Sequence, residues 1–274
     1  MTETNIAETI EINSYTAKYD ESVKEMLADK QILARILKYS LEEFANEELS
    51  VIIKSMDEPV VSQMRMEPGH ANLNKIQKST NPSKLGYHID NRAIYYLGRM
   101  ISSQKEVEFQ NSHYDELKAV RSIWICMDSA DDEDSINRIR FTQENVFGKK
   151  MKLENIDKVQ GVVIRLRENE NAEISKNVLI AMLEELLKRD SAEAKKKKLK
   201  EQYDIIMDVE TERRVNTMCN LSEVVLERGM EQGMVQVAEK MLKANKPAEE
   251  IKNFTGVSID KLKELADKLG VTLD

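Results

Sequence analysis

The apolar positions Val23, Leu27, Ile32, Leu33, Ile36, Leu37, Leu41 and Phe44 recur at helical spacing. The polar pair Asp29-Lys30 interrupts them, which predicts two helices over residues 20–44. Residues 50–62 are apolar and β-branched (Val51, Ile52, Ile53, Val60, Val61) and fit the end of a helix as well as the start of a strand. Pro59, Pro68 and Gly69 mark loops. A further helix is predicted over 90–105, with Ile94, Leu97 and Ile101 on one face. The near-continuous apolar run 120–127 (Val120 to Met127 through Ile123, Trp124 and Ile125) reads as a strand buried on both sides. The alternation in 136–146, with Ile139 and Phe141 apolar, predicts another strand, and 161–166 a third. A helix returns over 177–187. Helices flanking few strands make an α/β or α+β fold.

Beyond residue 190 the pattern is helical throughout. Residues 195–200 form a basic run, either a solvated helix face or a DNA-contacting one. A long helix over 223–243 carries Val224, Val225, Met230, Met234, Val237, Met241 and Leu242, with Gly229 and Gly233 at a spacing that permits close helix packing. Pro247 opens a further helix where its missing N–H costs nothing. Ser258 is placed to cap the next helix and Gly270 to end it. Two short helices of this size can set one in a DNA major groove. The second, 259–269, mixes Asp260, Glu264 and Asp267 with its lysines, which favours packing or self-association over DNA contact. The expected organisation is a flexible, polar and acidic N-terminus over 1–16, a core over 17–190 and a helical C-terminal region over 191–274.

Composition narrows the chemistry. The net charge of −8 argues against a protein that coats nucleic acid generally, while leaving room for a local basic groove. No apolar run is long enough to cross a membrane, and the first residues lack the basic and apolar regions of a secretory signal. The two cysteines, Cys126 and Cys219, lie far apart, form no zinc pattern and suit a reducing cytoplasm. His70, His88 and His113 have no metal-ligand spacing. No nucleophile–base set or glycine-rich phosphate loop is present.

Several ordered segments carry a more specific signal: Tyr19-Asp20-Glu21-Ser22-Val23-Lys24, Glu67-Pro68-Gly69, Ile76-Gln77-Lys78 through Met100-Ile101-Ser102-Ser103-Gln104, Ser122-Ile123-Trp124-Ile125-Cys126-Met127, and Met218-Cys219-Asn220-Leu221-Ser222. The glycine-spaced helix and a short helical pair follow. In this order, over nearly the whole chain, they resemble the PD-(D/E)XK nuclease family transposases, also called recombination-promoting nucleases. The resemblance implies a restriction-endonuclease-like mixed sheet flanked by helices. An Asp on one strand and a Glu on its neighbour would hold Mg²⁺, which activates water against a DNA phosphodiester. A Lys or Gln two residues after the Glu would orient that water or touch the phosphate.

Gln77 fits the third position and is the expected catalytic residue. Lys78 and Arg92 are the candidate nucleic-acid contacts, although a helix-surface salt bridge suits Arg92 equally. Tyr95 and Tyr96 are expected to pack their helix on the sheet, and Asp20 is a possible accessory acid. The chain departs from the family pattern at the metal. Lys75 stands where the Glu belongs, and between Val60 and Lys75 no pair of strands can be fitted. The metal ligands are therefore unknown, with Asp57 and Glu67 the nearest carboxylates that could replace them. The expectation is a Mg²⁺-dependent DNA endonuclease by resemblance, shortened and impaired in cleavage. The alternative is a non-catalytic DNA-binding or protein-interaction module on the same scaffold. Its partners would be DNA and, through the C-terminal helices, a second copy.

Overall fold

The computed structural model describes residues 3–57, 77–79, 88–127, 133–167 and 173–272; for 3–13 and 77–79 it describes the backbone alone. Contacts divide the chain into two compact units, one made of Met1–Asp20 with Thr217–Asp274 and the other of Glu21–Asn216. The helices α1 (Glu3–Leu27) and α7 (Val209–Lys243) each contribute to both. Residues 3–16, which composition alone marks as frayed, are the first turns of α1. Among the described residues no helix is long and apolar enough to cross a membrane.

The larger unit is a mixed α+β layer structure. Among the described residues its sheet has four strands in the order β1 (Gln77–Ser79), β2 (Val120–Cys126), β4 (Val159–Arg165), β3 (Ser135–Arg140). The first three are parallel, and β3 runs antiparallel to β4. The helix α4 (Ile89–Ser102) connects β1 to its parallel neighbour β2 and packs on one face of the sheet. It buries Ala93, Leu97 and Met100 against Trp124, Cys126, Val120 and Val163. The buried stripe lies one residue around the helix from the expected one, so Ile94 points outward and is 55% exposed. Gly161 permits this close approach: a Cβ there would lie 3.2 Å from Leu97 Cδ1.

The other face is reached from the end of α2 (Lys30–Ser40). Arg121 of β2 forms a bidentate pair with Glu43, and Arg138 of β3 binds Glu42 and the Ser40 carbonyl. Between α2 and β1 lies the short helix α3 (Leu49–Ser55), which settles the ambiguity of 50–62 for its first residues. The helix α5 (Val178–Leu187) is buried on nearly every side, the mark of a central helix. Asn177 caps it, accepting from the Leu179 and Ile180 amides. At its other end Lys195 of α6 (Ala192–Tyr203) is buried, and its Nζ donates 2.7 Å bonds to the Leu186 and Lys188 carbonyls. The basic run therefore begins with a structural lysine, not a solvated one. Lys198 is likewise paired with Glu185 and Asp190.

The strand expected over 136–146 stops at Arg140. Its partner β4 begins at Val159 and the ladder closes at Arg140↔Gln160, so residues past 140 have nothing to pair with. Phe141 and Val146 are exposed instead.

In the smaller unit the last part of α7 packs with α8 (Ala248–Thr255) and α9 (Ile259–Leu269) around Ala238, Leu242, Ile251, Leu262, Leu265 and Ala266. Ser258 caps α9 through the Lys261 amide, and Gly270 ends it at φ 68°, both as the sequence leads one to expect.

Candidate functional site

Of the segments that carried the resemblance, β1, α4 and β2 are neighbours, with α4 packed across the parallel strands. The register sets Gln77 opposite Trp124, Lys78 opposite Ile125 and Ser79 opposite Cys126. Trp124 is 1% exposed. Arg92, one turn into α4, lies with its guanidinium carbon 5.6 Å from the Trp124 ring centre and 5.7 Å from that of Tyr96. The two rings are themselves 5.8 Å apart. A guanidinium over two aromatic faces is attracted by their quadrupoles.

The fold thus sets the backbone of Gln77 in register with Trp124, the ring that Arg92 overlies and a residue the sequence pattern marks only as core. The signal for Trp124 was present: it is the single tryptophan of the chain, on a doubly buried strand, and Tyr96 follows Arg92 by one helical turn. Tyr96 packs on the sheet as expected. Tyr95 does not; it is 57% exposed and carries Arg99 over its ring at 5.8 Å. Among the described residues the buried Trp124 Nε1 has no hydrogen-bond partner. Beside it Cys126 is also buried, and desolvation pushes its thiol up to about 11, opposed in part by Arg165, so it is a neutral core group rather than a nucleophile.

The acidic half of the expected site is not assembled among the described residues. Among the described residues no three His, Cys, Asp or Glu side chains come together as a metal-holding group. Asp57 is an exposed residue just past the end of α3, and Glu67, like Lys75, lies outside the described residues. Asp90 is exposed in the first turn of α4. His88 immediately precedes α4 and makes no side-chain cap, while His113 faces Glu116 at 3.8 Å on the surface. A Mg²⁺ ion needs oxygen donors in near-octahedral array, and this donor set does not fit it.

No family model, no curated protein and no solved structure matches the chain.

A concavity of about 720 Å³ lies on the same unit between α2 and the start of α7, lined among others by Glu25, Asp29, Lys30, Glu210, Arg213 and Arg214. Its charges are mutually engaged. Asp29 Oδ2 accepts from Thr211 Oγ1 and from Arg214, and Glu210 binds both arginines. The hydrogen bond from Arg213 and the charges of both arginines hold the Glu210 carboxyl down at about 2. This is a structural ion network rather than a prepared ligand site.

Proposed function

We propose that the chain binds DNA on the scaffold of a metal-dependent endonuclease of the recombination-promoting transposase type, with cleavage impaired or lost. The observation that carries the reading is the convergence at Trp124. Gln77, the residue expected to face the scissile phosphate, sits in register with it, and Arg92, a candidate phosphate contact, is stacked on its ring. The impaired half is supported by Lys75 in the place of the metal-binding Glu, alongside the want of a metal-holding group among the described residues.

The test is plasmid nicking with Mg²⁺ run beside DNA binding by fluorescence anisotropy over a range of salt. The expected outcome is salt-sensitive binding, the mark of phosphate contacts, weakened in Arg92→Ala, with no nicking above a no-protein control. Nicking that Gln77→Ala reduces would show that other carboxylates rebuild the metal site. Absence of binding would remove the DNA reading. The alternative, a protein-interaction module, is favoured by one observation: Met230, Met234 and Val237 lie exposed along one side of α7, a face that suits self-association.

A further inference from the structure

Among the described residues, the β3–β4 connection carries the most exposed aromatic residue of the larger unit. Phe147 is 95% exposed and Val146 88%, with Met151 also exposed. Lys149, Lys150 and Lys152 follow at once, all exposed. Glu144 and Glu154 flank these lysines and Lys152 pairs with Glu154 at 3.4 Å, which leaves Lys149 and Lys150 as the positive charge beside the apolar tip. The tip is not a loose end. Gly148, at φ 71°, makes the turn; Asn145 Nδ2 donates to the Gly148 carbonyl at 3.0 Å and Gln143 Nε2 to the Met151 carbonyl at 2.5 Å. A presented, braced phenylalanine ordinarily costs solubility and gains nothing unless something covers it.

We infer that this loop is a docking finger for single-stranded DNA, with Phe147 stacking on a base and Lys149 and Lys150 taking the flanking phosphates. Every base offers a ring face, and aromatic side chains beside a basic groove are how unpaired strands are held without sequence preference. The position suits it. Val163, in register with Trp124, is four residues along β4 from Val159, where the loop rejoins the sheet. At the rise of a strand that is roughly 13 Å between the level of Trp124 and the base of the loop. The inference rests on the DNA-binding reading and adds where, and in which form, DNA is held.

Titration of the full chain with a labelled oligothymidine, with the matching duplex, and with anionic phospholipid vesicles tests it. Phe147→Ala is expected to weaken the single strand about tenfold, as the loss of one stacked base implies, and the duplex much less. Lys149→Gln with Lys150→Gln is expected to reduce the salt slope by about 1.4, two phosphates on a single strand. Both changes are at exposed positions, and an unchanged melting temperature confirms an intact fold. Wild-type strength in both variants would overturn the finger while leaving DNA binding elsewhere on the protein. Vesicle binding that Phe147→Ala abolishes, with oligothymidine binding unaffected, would reassign the finger to a membrane surface. No DNA binding by the wild type would remove both readings.

Discussion

At the scale of single residues, the polar side chains that matter most are those that close helix ends. Asp29 is buried, caps α2 through the Gln31 amide at 2.9 Å, and takes bonds from Thr211 and Arg214 at the start of α7. Asp29→Ala removes the cap and strands two donors, and should cost about 2–4 kcal/mol, measured as a lower denaturant midpoint with unchanged slope. Glu210 gives a pH dependence of known sign. Its carboxyl lies below its ordinary 4.5, at about 2, chiefly through Arg213. The stabilisation it provides is therefore complete above about 4.5 and lost as pH falls through about 2. Glu210→Gln should flatten that part of the acid-unfolding curve by lowering stability at neutral pH and leaving it unchanged below about pH 2; a curve that keeps its shape would show that other carboxylates dominate. None of this network was legible in the sequence. Asp29 announces a helix break, but its partners are about 180 residues away, and no local pattern encodes a contact of that range.

At the scale of elements, hydrophobic period gave the strands and helices where burial is one-sided or total, and misled where a partner strand ends. The run at 120–127 and the cap residues Asn177, Ser258 and Gly270 did what their chemistry dictates. Residues 141–146 alternate like a strand yet lack a neighbour, because pairing is a property of two segments and alternation of only one. The face of α4 was missed by one residue for a related reason: Ala93 and Met100 are weaker apolar signals than Ile94, and the choice between them is made by the depth of the groove at Gly161. Gly161→Val tests that choice. It would drive a branched side chain into Leu97 and Ile139, and should destabilise by about 1–3 kcal/mol, read as a drop in melting temperature. An unchanged melting temperature would mean that α4 can move away without loss.

At the scale of the whole molecule, two compact units share the helices α1 and α7, and each has its own buried cluster. Calorimetry should resolve two components. Leu262→Ala, at a fully buried position in the three-helix cluster of α7, α8 and α9, should lower one of them by roughly 2–5 kcal/mol and leave the other in place. A single transition that shifts as a whole would instead make the chain one cooperative body. The division of the chain was only partly visible beforehand. The change to all-helical pattern near residue 190 is plain in the sequence. The return of α1 to join the C-terminal helices is not, since it depends on contacts between the two ends of the chain. The candidate site shows the same split. Gln77 and Arg92 stood out by their neighbours in sequence, whereas the indole between them looked like any core residue.

That indole has a practical use. With one tryptophan in the chain, all of the protein's indole fluorescence comes from Trp124, under the Arg92 guanidinium and beside the strand that carries Gln77. The emission should be that of a shielded ring. An anion that draws Arg92 off its face should change the intensity, while one held only at Phe147 should leave it untouched. The molecule thus carries a built-in optical reporter at the place where its function is proposed, and a titration in a cuvette can tell the two ends of a bound strand apart.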